Sequence, residues 1–334
     1  HHRDRDYGGQ IRVCGGDVGV KEKLNPGDAE IYVDWQALEV ELADGEMVSM
    51  RKPIIRIENL NFGPIGATVM TSLRNTQAVF GMGFLEAVPE ATLIRLAEDQ
   101  KKQGLNGRLN RVYDDTLKKT VVGRFGWKAN QPSIRQQIAV AFIGDIGVNS
   151  SLYPDENCPK VQTICRAMAP GNQPELLDYN LEQMTFWHAA LAPPPTRNSG
   201  SEEVVLGERL FEQAKCSGCH LPELRTGNYP LLPLIEYQTF RAYTDLLLHD
   251  MGEDLADGRP DFLAGPRDWR TPPLWGIGLS AQVNGSTNFL HDGRARNIQE
   301  AILWHGGEAK TSRDLFADMS KDERNALIAF VNSL

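Results

Sequence analysis

The chain has 334 residues, of which 41% are hydrophobic, and its formal net charge is -9 with a pI near 5.4. The length allows two domains of ordinary size. The acidic balance and the lack of a basic stripe argue against nucleic acid as a partner. No apolar run approaches the roughly 18 residues that a membrane-spanning helix needs, so we expect no membrane span.

The N-terminal half of the sequence alternates between strand and helix patterns. Apolar and polar residues alternate over 31–42 and again over 54–57, and Asp44-Gly45 between them is typical of a hairpin turn. A helical pattern with Ser133 as candidate cap begins at residue 134. The other predicted elements of this half are a short hairpin over 111–113 and 120–122, and helices over 85–101 and 176–191.

The clearest linker in the chain consists of three prolines at 193–195, followed by polar and glycine residues. Beyond it, a helical pattern over 203–214 leads to the sequence Cys-Ser-Gly-Cys-His at 216–220. This C-x-x-C-H pattern is the attachment motif of a c-type haem. A closing helix is predicted over 321–334, with Ser320 as its cap.

The motif predicts the chemistry of three side chains. The thiols of Cys216 and Cys219 have the spacing that reaches both vinyl groups of one porphyrin, and His220 becomes the proximal ligand of the iron. The alternatives are half of a structural zinc site and a redox-active cysteine pair. Zinc needs two further ligands at finger-like spacing, and a thioredoxin-type pair needs a βαβ unit. Neither context is visible in the sequence.

We therefore predict a mainly α fold with β-hairpins in the N-terminal region. Its two predicted domains are a mixed N-terminal domain over 1–195 and a helical, cytochrome c-like haem domain over 196–334. The first and last helices of cytochrome c folds cross, so we expect the helices at 203–214 and 321–334 to pack together.

Whether the remaining cysteines form disulfides depends on the cellular compartment. Because a c-type haem is attached outside the cytoplasm, we expect a periplasmic protein whose leader has been removed. An oxidising compartment favours a disulfide between Cys158 and Cys165. Cys14 then has no partner in the sequence, and is either a buried free thiol or paired outside this chain. We interpret His1-His2 as the scar of a purification tag; alternatively, His1 ends a lost haem motif.

Six further segments carry a more specific resemblance. They are 80–89, 124–132, 246–252, 269–275, 288–294 and 301–309. Together with the haem motif, they resemble the bacterial di-haem oxidoreductase family, whose members are often labelled thiol oxidoreductases and are related to the di-haem cytochrome c peroxidases. The resemblance extends from Tyr7 to Leu334.

The resemblance implies electron transfer through two haems. In the peroxidases one haem receives electrons and the other reduces peroxide. A second haem, a small redox protein or other electron donor, and an oxidant such as peroxide are therefore expected partners. His305 lies at a position like that of the distal ligand of the C-terminal haem, where peroxidases usually have methionine. Two imidazole ligands lower the reduction potential relative to a histidine and methionine pair.

The distal ligand has alternatives in the sequence. Met251 is the main rival of His305, and His249 shares its predicted short helix. His305 could instead be a helix-terminal histidine whose charge favours the last carbonyls before Gly306-Gly307.

Other residues gain candidate roles from the resemblance, each with a plainer alternative. His291 is a candidate catalytic residue in the haem environment, or a turn residue held by Asp292. Trp127 and Trp275 are candidates for an inter-haem route beside the cofactor, or large core residues.

A calcium ion between the haems is a further implication of the resemblance. Asn130 and Ser280 resemble positions that help to hold this ion in the peroxidases, and oxygen ligands suit it. Turn and cap chemistry explains both residues equally well.

The sequence departs from the family at its start. The family has a first C-x-x-C-H before the segment that stands here as Tyr7-Gly8-Gly9-Gln10, and this chain shows none. The N-terminal domain is thus interpreted as the remnant of a first haem domain, or the protein as a mono-haem variant. The leading function is a peroxidase-like haem oxidoreductase. The alternatives are a non-catalytic electron-transfer cytochrome and an accessory protein in iron or haem acquisition.

Overall fold

The computed structural model describes residues 10–11, 27–167 and 173–334. Of these residues, 35% are helical and 17% are in strands. The predictions for His1, Tyr7 and Cys14 lie outside the described residues. No helix in the described ranges combines the length and apolar character that crossing a bilayer requires.

The strands of the described chain form small antiparallel pairs. The pairs are β1 (Glu30–Glu41) with β2 (Met47–Glu58), β3 (Arg111–Asp114) with β4 (Lys119–Val122), β5 (Glu223–Arg225) with β6 (Thr239–Arg241), and β7 (Leu248–Asp250) with β8 (Asp268–Arg270).

Ten α-helices lie in the described ranges. They are α1 (Met82–Glu86), α2 (Glu90–Lys102), α3 (Ile134–Asp145), α4 (Thr163–Ala167), α5 (Asp178–Ala190), α6 (Glu202–Gln213), α7 (Ser280–Asn284), α8 (Ile298–Leu303), α9 (Lys310–Ala317) and α10 (Lys321–Ser333).

The first hairpin forms as predicted and is buried only near its turn. Gly45 has a φ of 81°, a left-handed conformation that glycine adopts without steric cost. Leu42, Val48 and Met50 are buried around the turn. Arg324 of α10 is 1% exposed and donates to Asp44 at 2.7 Å, which fixes the turn to the C-terminal helix.

Two hydrophobic cores each combine residues from both sides of the predicted boundary between 195 and 196. The first joins the β1–β2 hairpin to the C-terminal helices, and the second joins the N-terminal helices to the chain after the haem motif. Representative members are Met50, Leu210 and Phe330 in the first core, and Leu93, Ile138 and Phe240 in the second. The two predicted domains therefore share packed surfaces, and their boundary stays a prediction.

Helices α6 and α10 pack closely against each other, as predicted. A Cβ atom at Gly207 would lie 2.0 Å from the carbonyl oxygen of Ala326, so only glycine permits this approach. Phe211 and Phe330 meet edge to face beside the contact, with ring centroids 5.3 Å apart. Ser320 caps α10 in a capping box, as predicted. The cytochrome c class of this region stays a prediction.

Three local predictions need correction or completion. The helical segment predicted over 85–101 consists of α1 and α2, which Pro89 separates. The predicted short helix that contains His249 is wrong, since Leu248–Asp250 is the strand β7 and pairs with β8. The structure joins the sulfur atoms of Cys158 and Cys165, with their Cα atoms 5.8 Å apart.

Candidate cofactor site

The haem motif lies on a tight turn directly after α6. Lys215 has a φ of 59°, which turns the chain out of the helix, and the backbone N–H of His220 donates to the carbonyl of Cys216 at 2.9 Å. Cys216, Cys219 and His220 all line a cavity of about 2690 Å³. Pockets for one small ligand are typically roughly 300–1,000 Å³, so this cavity has room for a larger group.

His220 is held in the state that binds a metal. Its Nδ1 lies 2.9 Å from the carbonyl oxygen of Tyr243. Since a carbonyl only accepts, Nδ1 carries the proton and the lone pair is on Nε2. Burial lowers the pKa of His220 to about 4, so the ring is neutral at ordinary pH.

His305 has the same arrangement on another element. Its Nδ1 lies 2.7 Å from the carbonyl oxygen of Ala301 in α8, which again leaves the lone pair on Nε2. Burial lowers the pKa of His305, and the charge of Arg313 lowers it further. A neutral ring does not support the alternative of a charged helix-terminal histidine.

The two imidazoles belong to one cavity. Both His220 and His305 line it, and they are close enough that the charge of one lowers the pKa of the other. Two neutral rings with free Nε2 lone pairs would both be able to bind a haem iron in this cavity.

The backbone of Met251 packs against Gly306, the residue that follows His305. A Cβ atom at Gly306 would lie 2.8 Å from the carbonyl oxygen of Met251. At Gly307, which has a φ of 51°, it would lie 2.2 Å from that of Asp250. The two glycines therefore let the end of α8 pack directly on the chain after β7. Met251 lines the same cavity, so it stays a candidate distal ligand beside His305.

His249 belongs to a network that the sequence did not predict. It is 2% exposed; its Nε2 lies 2.9 Å from Asp245 Oδ2, and its Nδ1 lies 3.0 Å from Glu308 Oε2 and 3.6 Å from Cys219 Sγ. Burial lowers the pKa of His249, but hydrogen bonds to these three groups outweigh it and raise the pKa well above its ordinary value. Both ring nitrogens are thus engaged.

This network is also a potential metal-binding cluster by geometry. The ligand atoms of Cys219, Asp245 and His249 lie within 4.8 Å of one another. Among the described residues, these three form the group that is close enough to hold a metal ion. A charged imidazolium has no lone pair for a metal. We therefore interpret the cluster as a support for the second motif cysteine. Glu308 is 59 residues from His249 in the chain, so sequence spacing gave no indication of the contact.

His291 lies in the cavity wall on the face of an aromatic ring. Its ring stacks on Trp269 with centroids 3.7 Å apart, and its Nε2 lies 3.4 Å from Asp292 Oδ2. Burial lowers the pKa of His291 to about 4 although the charge of Asp292 opposes the shift. The predicted contact with Asp292 is present and His291 lines the cavity, while its role in a haem environment stays a prediction.

The two tryptophans named from the sequence also line the cavity. Trp127 donates from Nε1 to the carbonyl of Asn75 at 2.7 Å. Trp275 is 7% exposed and packs in the second core beside Phe240, with ring centroids 5.9 Å apart. Trp275 is thus a core residue that also contacts the cavity, and an electron route through either ring stays a prediction.

The predicted calcium residues lie on the cavity wall too. The Asn130 carboxamide lies close to Gly126, where a Cβ atom would be 2.1 Å from its oxygen. Ser280 Oγ donates to the carbonyl of Ile277 at 2.7 Å. These are turn contacts of the plainer kind, and calcium stays a prediction.

The residues around the motif fit a covalently attached haem. The two thiols are not joined to each other, and both line the cavity together with the neutral His220. Burial raises the pKa of Cys216 to about 12 and also raises the pKa of Cys219, although His249 opposes the second shift. The thiols are therefore protonated, and each would supply both the sulfur and the hydrogen that add across one vinyl group of a porphyrin, whereas a metal site would need thiolates.

No curated protein matches the sequence significantly. Among solved structures, hydrazine synthase of Kuenenia stuttgartiensis, pressurised with xenon, has 16% identity and a TM-score of 0.31 over 59% of this chain and 61% of that chain. The match therefore spans less than two thirds of that chain, and similarity at this level does not define a fold. Residues 5–334 match the family described as "Di-haem oxidoreductase, putative peroxidase", so this chain belongs to the di-haem oxidoreductase family.

Proposed function

We propose that this chain is a periplasmic oxidoreductase that transfers electrons through a haem c attached at Cys216 and Cys219. The observation that carries the proposal is the meeting of both motif thiols, His220 and His305 in one large cavity. Membership of a di-haem oxidoreductase family makes haem the expected cofactor. The joined Cys158 and Cys165 suit the oxidising compartment in which such haems are attached.

The chain's own residues would hold the cofactor from both sides. Cys216 and Cys219 fix its edge covalently, while His220 and His305 present neutral Nε2 atoms whose direction is set by backbone carbonyls. The bound haem supplies one-electron chemistry. Two imidazole ligands would give it a lower reduction potential than a histidine and methionine pair.

A count of covalent haem tests this proposal. In a pyridine haemochrome assay of denatured protein, wild type should retain the haem of this motif, and the double variant Cys216→Ser/Cys219→Ser should lose it. The matched control is Cys158→Ser/Cys165→Ser, which also removes two cysteines and should keep the haem. Equal haem in wild type and in Cys216→Ser/Cys219→Ser would reject the proposal.

The reaction we propose is peroxidase-like. Electrons from a small redox protein would enter at the Cys216/Cys219 haem and pass to a second haem, where an oxidant such as peroxide is reduced. His291 and Trp127 line the cavity and are the candidate catalytic residues. Peroxide turnover with a reduced donor, measured for wild type and His291→Gln, tests this step.

A second candidate function is electron transfer without catalysis. It is favoured by the paired positions of His220 and His305, because an iron with both axial sites filled has no position for peroxide. Turnover no faster than that of free haem, together with a six-coordinate spectrum, would favour this carrier. We further propose that residues 196–334 form a cytochrome c-like domain, supported by the packing of α6 on α10.

A further inference from the structure

A buried arginine faces the cavity without a carboxylate partner. Arg270 ends β8, is 3% exposed and lines the cavity. Its guanidinium donates to neutral oxygens only: Nε to the carbonyl of Gly126 at 3.0 Å, Nη1 to that of Thr271 at 3.3 Å, and Nη2 to Gln77 Oε1 at 3.3 Å. One N–H of each terminal nitrogen therefore has no acceptor among the described residues.

The other arginines of the described chain that are as little exposed as Arg270 are paired with carboxylates. Arg294, also 3% exposed, binds Asp292 at 2.6 Å, and Arg324 binds Asp44 at 2.7 Å. Arg270 forms no ion pair within 4 Å in the described ranges, and the carboxylate whose field acts on it is Asp245. A buried cation without a counter-ion is costly, so an anion that enters the cavity would be stabilised there.

We propose that Arg270 binds a propionate carboxylate of the haem carried by Cys216 and Cys219. This inference rests on the proposed function. The free N–H groups of the two terminal nitrogens form the fork that matches the two oxygens of a carboxylate. Arg270 lies near the motif, because the charge of Asp245 acts on it. Asp245 is hydrogen-bonded to His249, and His249 in turn contacts Cys219.

Two cationic side chains close to Trp269, which precedes Arg270 in β8, are already paired with carboxylates. Arg74 pairs with Asp257 at 3.1 Å and with Asp261 at 2.6 Å. Lys128, behind Trp269, pairs with Asp257 at 3.0 Å. Among the described residues that line the cavity, Arg270 is therefore the fully buried cation that is free to bind a propionate of the cofactor.

The reduction potential of the motif haem tests the assignment in the holoprotein. Removing a positive charge near the iron stabilises the ferric state, so Arg270→Gln should shift the reduction equilibrium of this haem roughly tenfold toward ferric. Arg270→Lys keeps the charge and should restore most of the potential. Arg324→Gln removes an equally buried arginine that does not line the cavity, and should leave the potential unchanged.

An infrared measurement on wild type avoids any dependence on variant folding. With haem labelled at its propionate carboxyl carbons, the spectrum at a pH about one unit below the ordinary carboxyl pKa of roughly 4 should still show an ionised carboxylate, because Arg270 favours the charged form. Protonated propionates only would overturn the assignment. An unchanged potential in Arg270→Gln, or a shift confined to a second haem, would also overturn it. An effect of the variant that appears only when acetate or chloride is added would do the same, because Arg270 would then bind a free anion and not a propionate.

Failure of this inference is distinct from failure of the proposed function. Wild type without covalent haem would reject the proposed function itself. Wild type with covalent haem and a potential that does not respond to Arg270→Gln would reject only the role of Arg270.

Discussion

The imidazole of His291 stacks on the indole of Trp269, with ring centroids 3.7 Å apart and 12° between the ring planes. Lys128 Nζ lies 4.2 Å from the centroid of the same indole. The stacked imidazole covers one face of the indole closely, so the ammonium occupies the other. This arrangement holds His291 in the cavity wall with a cation across the indole, and the charges of Arg294 and Lys128 both disfavour a second positive charge there.

This environment predicts how His291 couples stability to pH. Its pKa in the folded protein is about 4 because of burial, against about 6.5 when unfolded. The unfolded state thus binds more protons between these values, so stability is full above about pH 6.5 and is lost as pH falls toward 4. The loss attributable to His291 is up to about 3 kcal/mol.

Chemical denaturation at a series of pH values checks this prediction. His291→Gln should be less sensitive than wild type to acidification through this window. Stability curves for the two proteins that run parallel across it would show that His291 does not carry the coupling.

The crossing of α6 and α10 predicts a strong effect at one glycine. Gly207→Val should destabilise the protein by about 1–3 kcal/mol or more, because the added atoms collide with the carbonyl of Ala326. Gly200→Val is the matched control, since a Cβ there has nothing within 4 Å. Denaturation midpoints measure both, and equal midpoints for the two variants would contradict the crossing.

The Cys158–Cys165 pair predicts a simple chemical outcome. Neither thiol should react with an alkylating reagent in the native protein, and both should react after reduction. Intact mass should rise by two hydrogens on reduction of this bridge, relative to the same treatment of Cys158→Ser/Cys165→Ser. Rapid alkylation of both cysteines before reduction would reject the bridge.

Elements defined by local sequence were predictable. The β1–β2 hairpin follows from alternation and the Asp44-Gly45 turn, and the caps Ser133 and Ser320 each accept the backbone bond expected of them. The spacing of the motif likewise named Cys216, Cys219 and His220 as candidates without knowledge of the fold, and all three line the cavity.

Features that depend on distant residues were not predictable. The apolar run before His249 is compatible with helix or strand, and the choice of strand depends on pairing with β8 about twenty residues later. The contact of His249 with Glu308 has the same origin. Arg270 gave no indication in the sequence, because a missing counter-ion becomes visible only when its surroundings are known.

The spin state of the ferric haem in two variants tests the central claim most directly. We predict a low-spin spectrum for wild type, with His220 and His305 as axial ligands. His305→Ala should become high-spin because it opens one axial position. Met251→Ala changes a residue of the neighbouring segment directly after β7 and should stay low-spin. A high-spin Met251→Ala together with a low-spin His305→Ala would contradict the account and assign the distal position to methionine.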